Sequence, residues 1–144
     1  MEPGGTQAEG RGATILIVED NALNLKLFSD LLRAHGYVVE GLADGREALE
    51  RARALRPDLI VTDIQLPHIS GLELIERIKA DPDLAAVPIM AVTAYAGRSD
   101  EERVRAAGAE AYVSKPISVT RFVEEVRGLL ALAGEAASPP VRPE

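Results

Sequence analysis

Five residues suited to chemistry stand just past short apolar runs in this chain. Glu19 and Asp20 follow residues 15–18, Asp63 comes soon after 59–61, Thr93 follows 89–92, and Lys115 comes just after 111–113. Singly, each has an ordinary use. Asp20, or Asn21 beside it, suits a helix N-cap, Asp63 a turn before Pro67, Thr93 a helix cap, and Lys115 a place in solvent. Together they mean something else. Three carboxylates at one point disfavour one another's ionisation unless positive charge sits among them. A hard divalent cation resolves the conflict. An oxygen-only site with open positions suits Mg²⁺, which keeps waters and leaves room for phosphoryl oxygens. A carboxylate nucleophile can form an acyl phosphate, and phosphoryl transfer needs little beyond positioning and charge stabilisation. Mg²⁺ would bridge the attacking carboxylate and one phosphoryl oxygen, with the Lys115 ammonium neutralising a second and the Thr93 hydroxyl hydrogen-bonding a third.

Such a site exists only if separate elements deliver these residues to one edge. The run 15–18 is too short for a helix, and capping residues follow at once. The pattern predicts helices over 22–35, ending at Gly36, and over 46–56, stopped by Pro57. Further helices are predicted over 71–80, from the S-x-x-E capping spacing of Ser99 and Glu102 to Gly108, and over 119–132. Strands are predicted at 15–18, 37–39, 59–61, 89–92 and 111–113. Apolar strands alternating with helices give a parallel sheet covered on both faces, a single doubly wound α/β domain over 13–132. In such sheets ligands bind beyond the carboxyl ends of the strands. Residues 1–12 and 133–144, rich in Gly, Pro, Ala and Glu, read as disordered extensions.

Composition narrows the alternatives. The chain has 144 residues and no cysteine, which excludes disulfides, thiolate metal sites and a cysteine nucleophile. A formal charge of −7 is the wrong sign for a general nucleic-acid binder. No run approaches the length needed to cross a bilayer, and the N-terminus lacks the apolar core of a signal peptide. A cytoplasmic protein without membrane insertion is expected.

The sequence resembles the receiver domain of bacterial response regulators, the CheY-like family. The likeness lies in Ile-Leu-Ile-Val-Glu-Asp-Asn (15–21), Asp-Ile-Gln-Leu-Pro-His-Ile-Ser-Gly (63–71), Val-Thr-Ala (92–94) and Ser-Lys-Pro (114–116). Residues 18–28 and 112–119 carry a closer likeness to its single-domain regulators of cell polarity and cell cycle. The resemblance implies a five-stranded sheet in the order 2-1-3-4-5 and phosphorylation of Asp63. It implies Mg²⁺ held by Asp20 and Asp63, by Glu19 through water, and by the Gln65 carbonyl. Thr93, Lys115 and the Ala94 amide would contact the phosphoryl group, and the bond before Pro116 would be cis. Glu19 departs from the commoner Asp-Asp pair, which implies altered metal affinity.

The resemblance also implies a route for the signal. Thr93 would move toward the phosphoryl group while Tyr112 turns inward, rearranging the surface of the fourth helix, fifth strand and fifth helix. An edge-strand tyrosine is the plainer use of Tyr112. On a helical wheel the apolar residues of the first helix cover more than the stripe a sheet requires. The surplus, Leu23, Leu25 and Leu27, is expected to face solvent beside the acids as a docking surface for a histidine kinase or histidine phosphotransferase. A helix wedged under a loop is the alternative. Output would pass to a downstream kinase or adaptor protein, since no effector domain follows. A degenerate receiver acting only as a binding module is a competing reading. A phosphohydrolase is disfavoured because Gln65 stands where a general acid would be needed. A nucleotide site is disfavoured because no Gly-rich loop follows the first strand.

Overall fold

The computed structural model describes residues 12–94 and 97–137, without the side chains at 98 and 132–137. Five parallel strands alternate with five α-helices. The elements are β1 (Thr14–Val18), α1 (Ala22–Ala34), β2 (Val38–Leu42), α2 (Ala48–Leu55), β3 (Leu59–Asp63), α3 (Gly71–Ala80), β4 (Ile89–Thr93), α4 (Arg98–Ala107), β5 (Ala111–Ser114) and α5 (Val119–Ala137). The sheet order is β2-β1-β3-β4-β5, as the resemblance implies. The register aligns Val18 with Thr62, Asp63 with Val92, and Thr93 with Ser114. The carboxyl ends of β1, β3, β4 and β5 therefore finish along one edge, where the sequence has placed its acids, hydroxyl and ammonium.

Strand alternation divides the core into two layers. Ile15 and Ile17 face one way, where with Val61, Met90 and Val92 they meet Phe28 and Leu32 of α1 and Phe122 and Val126 of α5. Leu16, Val18 and Ile60 face the other way, against Ala48 and Ala52 of α2, Leu74, Ile75 and Ile78 of α3, and Val104 of α4. The Phe28 and Phe122 rings join α1 to α5 with centroids 5.1 Å apart. Both faces are covered, so β1, β3 and β4 are buried almost throughout.

The differences from the sequence reading have local causes. β2 extends to Leu42 through Glu40 and Gly41, which interrupt the apolar run but pair with Leu16 and Ile17 of β1. The second helix divides into a 3-10 turn, Gly45–Glu47, and α2, which ends with Arg56 left-handed at φ 53°. Pro57 removes Arg56 from the helical region. The capping box at Ser99 does not form. α4 starts two residues earlier, with Gly97 as N-cap and no side-chain cap, and Asp100 and Glu101 instead lie in its positively polarised first turn. α5 runs past Leu132 to Ala137, correcting the tail assigned from 133. Alanine and glutamate continue a helix readily. Gly12, given to the N-terminal extension, donates its N–H to the Gly36 carbonyl. Residues 1–11 and 138–144 lie outside the described residues.

Candidate phosphoacceptor site

Asp63 ends β3, and only 5% of its surface is exposed. Its two oxygens have different partners. Oδ1 accepts the Gln65 backbone N–H at 3.0 Å, and Oδ2 accepts from the Lys115 ammonium at 2.9 Å. The backbone behind it is tightly set. The Thr62 hydroxyl donates to the Asp63 carbonyl, and Gly71 N–H closes the following loop on the Ile64 carbonyl. A Cβ at Gly71 would lie 2.3 Å from the Asp63 carbonyl oxygen, so only glycine lets α3 begin this close to β3.

Lys115 arrives from beyond β5, where its N–H donates to the Thr93 carbonyl at 2.7 Å. The following Lys115–Pro116 bond is cis, as expected. The ammonium also lies 3.4 Å from Glu19 Oε1. Burial works against its charge, but the hydrogen bond and charge of Asp63, with Glu19 behind, outweigh burial and raise its pKa above 10.5. Lys115 is a fixed cation at neutral pH.

Glu19 is buried and Asp20 exposed. Each of Glu19, Asp20 and Asp63 offers an oxygen, and the three oxygens lie within 4.8 Å of one another. Glu19 Oε2 accepts the Asn21 N–H at 3.2 Å, whereas Oε1 is buried without a hydrogen bond. Burial, followed by the charge of Asp63, pushes the Glu19 carboxyl above its ordinary value. The Asn21 N–H and Lys115 pull the other way without offsetting it. This acid cluster has one ammonium and an unsatisfied oxygen facing inward. Its donors are all hard oxygens, so the residues fit a hard divalent cation.

The sheet thus brings Glu19, Asp20, Asp63 and Lys115 together. Thr93 is buried at the end of β4, Ala94 follows it, and Gln65 is exposed two residues beyond Asp63. Tyr112 is buried, packed in the layer formed with α3 and α4. Burial pushes its phenol pKa up, and the Asp100 and Glu101 charges add to the shift. On α1, Leu23 and Leu27 are 67% and 55% exposed. Leu25, also expected in solvent, is half-buried. It packs against the core over Gly41, where a Cβ would meet its Cδ1 at 2.8 Å. Glycine on β2 opens the space that a wheel diagram leaves out. Sequence reasoning also missed the backbone donors, Gln65 N–H and Asn21 N–H, because any residue carries one.

Residues 15–127 match the family described as response regulator receiver domain. The chain is 54% identical over 117 residues to the polar-differentiation response regulator DivK of Brucella anthropi, covering 81% of this chain and 95% of the relative. DivK of Brucella abortus is 53% identical over the same length and the same shares. Among solved structures, a putative response regulator from Chloroflexus aurantiacus superposes with TM-score 0.81 at 33% identity, over 84% of this chain and 99% of that one. The receiver domain of a sensor histidine kinase from Pseudomonas aeruginosa, crystallised with a magnesium ion coordinated in its active site cleft, gives TM-score 0.78 at 34% identity, over 83% and 98%. Sheet order, acid cluster, lysine and sequence agree, and the chain belongs to the response regulator receiver domain family.

Proposed function

We propose that this receiver domain accepts a phosphoryl group on Asp63 from a histidine kinase or histidine phosphotransferase and passes the signal on by protein–protein contact. The observation that carries the reading is the buried Asp63 carboxylate, with the Lys115 ammonium at 2.9 Å and two further acids beside it. An Asp63 oxygen attacks the donor phosphorus. The P–N bond of the donor phosphohistidine breaks, the ring nitrogen keeps the electron pair, and an acyl phosphate remains on Asp63. Lys115, already protonated, moves from carboxylate to phosphoryl oxygen without a proton transfer. The Thr93 hydroxyl and Ala94 amide take the other oxygens.

Asp20 and Asp63, Glu19 through water, and the Gln65 carbonyl would hold Mg²⁺. When bound, the ion neutralises charge developing on the transferred group.

Thr93 and Tyr112 would carry the change outward. Tyr112 is buried, and phosphorylation would stabilise that inward side chain. Leu23 and Leu27 form the exposed apolar edge against which the donor's helices would dock, while Leu25 packs over Gly41. The DivK likeness supports a downstream kinase or adaptor protein in cell-cycle control as the recipient.

The test is incubation with Mg²⁺ and acetyl phosphate, followed by intact mass spectrometry. One phosphoryl group should appear on the wild-type chain and none on Asp63→Asn. Equal modification of both would refute the acceptor assignment, and modification of neither would favour a pure binding module.

A further inference from the structure

Asn21 makes two contacts that belong to different parts of the molecule. Its backbone N–H donates to Glu19 Oε2 at 3.2 Å inside the acid pocket. Its side-chain Oδ1 accepts the Asn24 N–H at 2.9 Å and caps α1. We propose that Asn21 is a positioning residue that couples the acid pocket to the first turn of α1. This rests on the reading that the acids hold Mg²⁺.

Glutamate has one more rotatable bond than aspartate, so its carboxylate needs a holder to keep one geometry. With Oε2 engaged by Asn21, Oε1 is the atom left facing Lys115, buried and without a hydrogen bond. The Asn21 N–H is held in place by the cap, because the N-cap residue keeps extended dihedrals (φ −83°, ψ 115°) while its side chain closes the turn. At the start of α1 the side chain that reaches the core is Leu25, over Gly41. The buried residues of this helix are Phe28, Ser29 and Leu32, whereas Leu23 in the first turn is exposed. Releasing the cap therefore frees both the turn and the amide that orients Glu19. By linkage, a cation that fixes Glu19 must tighten the turn by the same free energy. Pocket occupancy thereby reaches the surface that presents Leu23.

The test compares full-length wild type, Asn21→Ala and Asn21→Ser by Mg²⁺ titration calorimetry and by hydrogen exchange at the Asn24 amide. Serine caps about as well as asparagine, whereas alanine loses the cap. Asn21→Ala should bind Mg²⁺ more weakly, by up to about fivefold if the whole cap energy is coupled, and exchange faster at Asn24. Asn21→Ser should restore both properties, and Mg²⁺ should slow Asn24 exchange in the wild type. The inference is overturned if Asn21→Ala binds Mg²⁺ like the wild type, or if Mg²⁺ leaves wild-type Asn24 exchange unchanged. The wild-type measurement decides even where the alanine variant folds poorly. A wild type that binds no Mg²⁺ removes the metal reading, and this inference with it.

Discussion

The Lys115 ammonium lies 2.9 Å from the Asp63 carboxylate although 52 residues separate them. One follows β5 and the other ends β3, with β4 between them in the sheet. Parallel register sets the pair, since Asp63 aligns with Val92 and Thr93 with Ser114. The lysine pairs with two buried acids, Asp63 and Glu19, through a single charge, which leaves the cluster net negative.

Replacing Lys115 by methionine keeps much of the side-chain volume and removes the charge. Removal of one group that stabilises transferring charge costs about 10²-fold or more in rate. Phosphorylation of Lys115→Met by acetyl phosphate should fall by about that factor, followed by the time course of intact mass. An unchanged rate would remove Lys115 from the chemistry.

Glu19 governs a pH effect on stability. Its folded-state pKa is raised above 4.5, so its contribution to stability is fully present below 4.5 and is lost as pH rises through the raised value. Without metal, Glu19→Gln should melt higher than the wild type at pH 7, and this advantage should shrink as the pH falls toward 4.5. Mg²⁺ should narrow it at pH 7 by stabilising the wild type more than the variant. Thermal melts across pH, with and without the ion, check both signs.

Asp81 acts in the opposite sense. Its Oδ2 accepts from Arg53 at 2.6 Å and its Oδ1 from the Asp83 N–H at 2.9 Å. The Arg53 hydrogen bond, then that N–H, holds the carboxyl below its ordinary 3.8. A depressed acid contributes stability above its unfolded pKa and loses it as pH falls through the folded one. Asp81→Asn should lower the neutral-pH melting temperature, because the bond to Arg53 loses its charge. Its acid-unfolding profile below pH 3.8 should be correspondingly flatter than that of the wild type.

Gly71 links packing to chemistry. An alanine Cβ there would sit 2.3 Å from the Asp63 carbonyl oxygen and 2.6 Å from Ile64 Cα, both backbone atoms with little freedom to move. Gly71→Ala should destabilise the fold by about 3 kcal/mol in denaturant unfolding. The folded fraction should also phosphorylate more slowly, because the displaced backbone carries the acceptor.

Much of this molecule was legible in its residues, for identifiable reasons. Strand cores such as Leu59-Ile60-Val61 and the breaker Pro57 state their roles locally, and α3 runs from Gly71 to Ala80 as its sequence indicates. Glu19, Asp20, Asp63 and Lys115 were legible as one site because a parallel sheet gathers strand ends at one edge. What stayed hidden depends on contacts between distant segments. Glu40 and Gly41 enter β2 only because β1 lies beside them. Leu25 leaves solvent because Gly41 has no side chain. Glu19 turns to Lys115 because Asn21 holds its other oxygen. None of these is a property of one window of sequence.

The most direct measurement locates the phosphoryl group. An acyl phosphate is reduced by borohydride, which converts a phosphorylated aspartate to homoserine. After treatment with Mg²⁺ and acetyl phosphate, then borohydride, peptide mass mapping should find homoserine at position 63 and at no other acid. Homoserine at position 20, or at none, would contradict the assignment of Asp63 as the acceptor.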